Sequence, residues 1–285
     1  MSGISKYFSL VKFSHTIFAM PFALIGFFLG MKKETAFPGW PLFLKVMLCM
    51  VFARTAAMAF NRYADRKIDA LNDRTSQREI PSGSLSASNV LLLVIASTLC
   101  FILTAWTIND ICFKLSPVAL AVVLGYSLTK RFTWLCHFIL GLGLSLAPIG
   151  AYLAVTGQFD WTPLIFSFIV ITWVSGFDVI YALQDEEFDK KNQLFSLPVR
   201  FGKAGALRIS TAIHFLTASL AIIVCVGMKG TTLQWTGTFI FIGLLIYQHL
   251  LVKPNDLSKV NVAFFTTNGL ASVIYAGFVV SQLIF

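Results

Sequence analysis

Apolar and polar positions fall in long blocks along this chain. Nine apolar stretches run over roughly 13–30, 41–60, 90–108, 112–129, 134–155, 162–183, 207–228, 232–252 and 260–284. Each is close to the ~20 residues that a helix needs to cross the hydrocarbon core of a bilayer. The stretch 112–129 is the weakest, being short and carrying Pro117. Pro21, Pro148 and Pro163 lie within or at the start of others, where neighbouring helices can re-satisfy the backbone. The pattern predicts an all-α polytopic membrane protein, with nine transmembrane helices bundled around a central cavity. Two polar segments, 61–89 and 185–206, are long for a bundle and are expected to form a cap over one end. With no linker visible, residues 1–285 are expected to form a single domain.

Composition agrees. The chain is 57% hydrophobic and only 12% charged, with 28 phenylalanines, whereas a soluble domain carries about 25% charged residues. The net charge of +9 could suggest nucleic acid, but its placement argues for a membrane and no nucleic acid. Lys6, Lys12, Arg62, Arg66, Lys67, Arg74, Arg78, Lys130, Arg131 and the basic residues of 190–208 and 253–259 all fall on one side of the predicted bundle. Lys32, Lys33, Lys45, Lys114 and Lys229 fall on the other. The positive-inside rule then puts the N-terminus and both polar segments in the cytoplasm and the C-terminus outside, with a bacterial inner membrane as the expected location. Lys6 and Lys12 precede an apolar run with no small-residue cleavage site, so the first span is expected to be retained. The cysteines at 49, 100, 112, 136 and 225 are scattered without metal-ligand spacing and read as buried free thiols. His137, His214 and His249 lie singly in different stretches and read as packing or surface groups.

Two acidic clusters change the picture from topology to chemistry. The first is Asn61-x-x-x-Asp65-x-x-x-Asp69 and the second Asp178-x-x-Tyr181-x-x-x-Asp185-x-x-x-Asp189. Steps of three and four keep residues on one helix face, about 6 Å apart, so each cluster can present a ladder of carboxylates. The clusters close the second and sixth predicted helices, and each is followed by a basic, Ser- and Gly-containing loop, a weak internal repeat. Mg²⁺ is held by one or two carboxylates together with substrate phosphates. Two facing ladders with cations nearby therefore suit a divalent metal and a diphosphate. Asp178 sits inside an apolar run, where an ionisable group is costly; it either pairs with a base such as Arg54 or serves the reaction.

The segment Asn61-Arg-Tyr-Ala-Asp65-Arg-Lys-Ile-Asp69-Ala-Leu-Asn72-Asp-Arg74-Thr75 resembles the first signature of the UbiA family of membrane prenyltransferases. Asp178-Val-Ile-Tyr181-Ala-Leu-Gln-Asp185-Glu-Glu-Phe-Asp189 resembles the second. The opening Lys12-Phe-Ser-His15-Thr-Ile-Phe-Ala-Met-Pro21-Phe is similar to the 4-hydroxybenzoate polyprenyltransferase-like branch, and the nine-helix pattern matches the family along the whole chain. Two departures stand out. Arg62 takes a position that is acidic in many relatives, and Arg78-Glu-Ile-Pro81-Ser82-Gly83 replaces a frequent Arg-Pro-Leu-Pro-Ser-Gly.

The resemblance implies Mg²⁺ held by Asp65, Asp69, Asp185 and Asp189, with Asn61 and Tyr181 in support, and diphosphate held by Lys130, Arg74 and Arg78. It implies transfer of a polyprenyl group from its diphosphate to an aromatic acid, with membrane lipid around the tail. Asp178 and Tyr181 are the candidate catalytic residues. Arg54, His15 and Asn61 are the candidates for the acceptor, since Arg54 lies seven residues before Asn61 on nearly the same face. The best single acceptor is 4-hydroxybenzoate, in quinone biosynthesis. A dihydroxynaphthoate, in menaquinone biosynthesis, or a porphyrin are alternatives within the family, and an ion-coupled transporter is the alternative of another class.

Overall fold

The computed structural model describes residues 3–11 and 18–285. Among these the chain is helical, with no β-sheet. The helices are α1 (Gly3–Val11), α2 (Met20–Glu34), α3 (Trp40–Asp69), α4 (Ala87–Trp106), α5 (Asp110–Thr129), α6 (Cys136–Thr156), α7 (Trp161–Ala182), α8 (Glu186–Lys191), α9 (Leu197–Gly227), α10 (Thr232–Leu251) and α11 (Asn268–Ile284). Seven segments of the described chain are long and apolar enough to cross a membrane: α3, α4, α5, α6, the run Trp161–Lys191, α9 and Val262–Ile284. The nine predicted spans are thus not all reached by length and composition. In α2 the described helix has 15 residues, and α10 carries Gln234, Gln248 and His249. The protein is nonetheless an integral membrane protein. Leu92, Leu99, Leu103, Phe215 and Phe239 are at least half exposed, and Trp40, Trp106 and Trp161 are exposed at the helix ends remote from the acidic clusters, as interfacial aromatics are in a bilayer.

The core is aromatic. Phe22, Phe166, Trp173, Phe241 and Tyr275 are buried between α2, α7, α10 and α11, with Phe241 and Tyr275 stacked at 4.6 Å. Without a hydrophobic drive between helices in lipid, close packing needs small residues, and Gly26 supplies one. A Cβ there would collide with the backbone of Pro148 on α6.

The regular helices are interrupted where the sequence has local reasons. Pro117 stays inside α5, and the Ser116 hydroxyl donates to the carbonyl of Phe113 (2.8 Å), which Pro117 has no N–H to satisfy. Before α11, Val262–Thr267 forms a π-turn. The Asn268 amide donates to the carbonyls of Ala263 and Phe264 (3.0 Å each) in that turn, and accepts from Trp173 Nε1 (3.0 Å). Asn268 thus bonds across helices as its polarity suggests, whereas Asn261 is exposed.

Three expectations need correction. The segment 185–206 is not a long loop: it is largely helical, as α8 and the start of α9, with a break at Gly202 (φ +67°), a conformation that glycine adopts without strain. His214 and His249 are not isolated, because their rings pair at 2.8 Å between α9 and α10. The cysteines are free, but Cys49, Cys100 and Cys112 are only half-buried.

Gly26→Ala should lower the melting temperature in detergent by the equivalent of about 1–3 kcal/mol of overpacking. Gly150→Ala, whose added Cβ meets no atom within 4 Å, should melt like the parent.

Candidate active site

Both acidic clusters lie at the same end of the bundle. On α3, helical spacing puts Asn61, Asp65 and Asp69 on one face, and the Asn61 amide donates to Asp65 Oδ2 (3.0 Å). The loop then turns back sharply. Asn72 Oδ1 accepts the N–H of Arg74 (3.0 Å), an Asx turn, while Thr75 Oγ1 donates to the Asp69 carbonyl (3.0 Å). This turn throws Arg74 and Asn72 across to the second cluster. Arg74 grips Asp185 through Nε (3.1 Å) and Nη2 (2.6 Å), and Asn72 Nδ2 donates to the same carboxylate (3.3 Å).

The second cluster is not one continuous helix. Leu183–Asp185 tightens into a 3₁₀ turn between α7 and α8, so the steps from Tyr181 to Asp189 do not keep the strict α-helical face that their spacing predicts. A 3₁₀ turn has about 3.0 residues per turn rather than 3.6. Even so, Asp185 and Asp189 are both buried.

Asp65, Asp69, Asp185 and Asp189 are each held by a separate cation. Arg131 Nη2 lies 3.0 Å from Asp65, Arg78 Nη1 2.7 Å from Asp69, Arg74 Nη2 2.6 Å from Asp185 and Lys130 Nζ 2.8 Å from Asp189. Burial alone would lower the pKa values of Lys130 and Arg74. The charges and hydrogen bonds of Asp189 and Asp185 outweigh it and hold both above their usual values, so both are cations at neutral pH. The neighbours Lys130 and Arg131 reach opposite clusters. Their loop is in turn tied to the segment after α8, where Phe195 N–H donates to the Lys130 carbonyl (2.7 Å).

Among the described residues, no three carboxylates, histidines or thiols converge as a ready metal site, and Asp65, Asp69, Asp185 and Asp189 each face a cation instead. One buried carboxylate oxygen, Asp69 Oδ2, has no hydrogen-bond donor among the described residues. A buried oxygen left unpaired is costly, and an oxygen-only donor set is what Mg²⁺ accepts. The residues present therefore fit such an ion.

Behind the charged end, an apolar cavity of about 360 Å³ runs between α3, α4, α5 and α6. Arg54 and Tyr126 head it, and Ala53, Ala119, Gly143 and Ala147 are among the small residues that keep it open. The Nε of Arg54 has no hydrogen-bond partner among the described residues.

The structure thus brings together Asn61, Asp65, Asp69, Arg74, Arg78, Lys130, Tyr181, Asp185 and Asp189, and sets Arg54 in the cavity. Tyr181 OH accepts from Arg74 Nη1 (3.0 Å), and its ring stacks on Phe264 at 4.1 Å. Asp178 does not pair with Arg54. Its base is the buried His137, whose Nδ1 is 2.7 Å from Asp178 Oδ2 while Nε2 accepts the N–H of Leu197 (3.3 Å). His15 lies outside the described residues. Sequence reasoning missed Arg131, Asn72, Tyr126 and His137 as members of the site. Arg131 and Asn72 carried a signal, lying beside Lys130 and inside the first signature. His137 carried none, being 41 residues from its partner. The two departures from the family pattern are neighbours: buried Arg62 sits in the field of Arg78, Asp69 and Glu79, and Glu79 accepts a 2.6 Å hydrogen bond from Ser9 of α1.

The family model described as the UbiA prenyltransferase family matches residues 19–270. The chain belongs to the UbiA prenyltransferase family. A relative from Aliivibrio fischeri, named 4-hydroxybenzoate octaprenyltransferase, is 30% identical over 250 residues, covering 87% of this chain and 86% of its own. Among solved structures, a UbiA homolog from Aeropyrum pernix K1 superposes with a TM-score of 0.85 at 28% identity, over 94% of this chain and 98% of that one. A UbiA homolog from Archaeoglobus fulgidus bound to GPP and Mg²⁺ shares the fold, with a TM-score of 0.74 at 21% identity over 97% and 99% of the two chains.

In this UbiA family member, removing one half of a buried pair should expose the cost of the other half. Without metal, Lys130→Met should destabilise the protein by roughly 2 kcal/mol, short of the full penalty for a stranded buried charge because Lys130 is 35% exposed. Lys130→Met combined with Asp189→Asn should recover most of the loss in thermal melts.

Proposed function

We propose that the protein transfers a polyprenyl group from its diphosphate to a ring carbon of 4-hydroxybenzoate, in quinone biosynthesis. The observation that carries this reading is the quartet of aspartate–cation pairs at the mouth of an apolar cavity headed by an arginine. A diphosphate is the ligand that can use both halves of such pairs, since it takes cations itself and shares a divalent metal with carboxylates. The name of the Aliivibrio fischeri relative supports the acceptor, and the ligands of the Archaeoglobus fulgidus homolog support the donor and the metal.

The metal would be held by Asp65, Asp69, Asp185 and Asp189, with Asn61 orienting Asp65. Mg²⁺ bound there supplies Lewis-acid withdrawal of charge from the leaving diphosphate. Arg74, Arg78, Lys130 and Arg131 then turn from carboxylate to phosphate oxygens. As the bond between C1 and its oxygen breaks, negative charge grows on the diphosphate, and these preplaced cations stabilise it, the main electrostatic task of the site. Tyr181, stacked on Phe264 and bonded to Arg74, holds that cation in place for the diphosphate.

Arg54 binds the carboxylate of the acceptor away from the diphosphate. Asp178, held by His137, orients the acceptor hydroxyl. The carbon ortho to that hydroxyl attacks C1 as the C1–O bond to diphosphate breaks, and the ring proton passes to water. Asn61 also faces the acceptor, and His15 is a further candidate for it. The apolar cavity takes the prenyl tail, whose remainder lies in membrane lipid, and no nucleic acid takes part. The full chain, 1–285, acts as one domain of nine transmembrane helices, α2 and α10 completing the count. The loop after α3, with α8, forms the cap on the cytoplasmic face of a bacterial inner membrane.

The deciding experiment combines purified protein, Mg²⁺, geranyl diphosphate and a panel of aromatic acids, read by mass spectrometry. Geranylated 4-hydroxybenzoate is the expected product; product only from a dihydroxynaphthoate would replace the acceptor, and no metal-dependent diphosphate release from any of them would sink the reading. Asp65→Ala and Asp185→Ala should each lower turnover by about 100-fold or more, as should chelation with EDTA. Arg54→Gln should raise KM for the acceptor by roughly tenfold or more, the loss of one charged hydrogen bond, while leaving KM for the diphosphate in place.

A further inference from the structure

A second pocket lies outside this machinery, on the outer side of the bundle where α3 ends and α4 begins. Its volume is about 340 Å³, and its walls include Tyr63, Arg66, Ser88, Leu91, Leu92 and Ile95. Arg66 neighbours Asp65 in sequence but pairs with no carboxylate among the described residues. Instead its guanidinium carbon lies over the Tyr63 ring, 4.3 Å from the centroid, and Nη1 donates to the Tyr63 carbonyl (2.6 Å). That contact uses one N–H of the five a guanidinium carries, and Arg66 lines the pocket with the rest unengaged by any other hydrogen bond or ion pair among the described residues.

Below the pocket the chemistry turns apolar without a break. Leu92 (65% exposed), Ile95 (49%), Leu99 (54%) and Leu103 (58%) follow one another down α4 at steps of three and four, so they form one stripe on its outer face. A cation at the top of an apolar track is complementary to a molecule with an anionic head and a long hydrocarbon tail.

We propose that this pocket is a binding site for one anionic glycerophospholipid, its phosphate on Arg66 and Ser88 and an acyl chain along the α4 stripe. The charge count selects this occupant over a prenyl diphosphate. One guanidinium matches the single charge of a phosphodiester, whereas a diphosphate needs several cations, and those stand at the catalytic end as Arg74, Arg78, Lys130 and Arg131. Basic pockets beside membrane helices bind anionic head groups at the interface by the same logic. The inference does not rest on the proposed reaction, and no residue in it belongs to the reaction.

The test is native mass spectrometry of the full-length protein in detergent, titrated separately with phosphatidylglycerol and phosphatidylcholine of identical acyl chains. The parent should retain one phosphatidylglycerol with about fivefold preference over phosphatidylcholine. Arg66→Gln should abolish the preference and leave prenyl transfer in detergent unchanged, and Arg66→Lys should keep part of it. Equal retention of the two lipids by the parent, or an undiminished preference in Arg66→Gln, would overturn the proposal. So would displacement of the bound lipid by geranyl diphosphate in both the parent and Asp185→Ala, which would make the pocket a substrate site.

Discussion

Four aspartates at the end of an apolar bundle cannot stay ionised unless something compensates them, and the rest of this structure is arranged around that need. Taking a carboxylate out of water costs several kcal/mol even after relaxation. Here compensation comes from four cations on two loops: Arg74 and Arg78 after α3, and Lys130 and Arg131 after α5. The Asx turn at Asn72, the 3₁₀ turn at Leu183–Asp185 and the tie between Phe195 and Lys130 place those charges. Buried ion pairs seldom add much to stability compared with apolar packing. Their presence here is better understood as storage of two complementary ligand sets in one place. The aspartates suit a metal and the cations suit phosphate oxygens, so a loaded site would exchange partners rather than create charge.

The same end shows how one family pattern tolerates substitution. Arg62 replaces a commonly acidic residue, and Glu79 stands where proline is frequent, two changes that look unrelated along the sequence. In the fold Arg62 lies in the field of Glu79 and Asp69, and Glu79 also anchors α1 through Ser9. The cation gained on α3 thus sits among Arg78, Asp69 and Glu79, a mixed field rather than a direct ion pair.

Much of this was legible in the sequence because hydropathy and spacing are local properties. The blocks of apolar residues marked the helices, and the two acidic clusters marked the candidate site, since Asp65 and Asp69 keep one face of a regular helix. What escaped was whatever depends on contacts distant in sequence or on small departures from regular geometry. The pairing of His137 with Asp178 and of His214 with His249 leaves no periodic trace. The tightening at Leu183–Asp185 carries no proline or glycine to announce it. Segment 185–206 read as a loop because its polar composition resembles one, although Ser196 caps α9 by accepting the N–H of Val199 and Gly202 absorbs the bend. Likewise the mirrored cations were visible as charges beside a membrane, but which carboxylate each would meet was not.

The adjacency of Lys130 and Arg131 has a mechanical consequence. Two successive side chains on one short turn hold the first cluster with one hand and the second with the other. A displacement of that turn therefore bears on both clusters at once, so the two halves of the centre share one mechanical support.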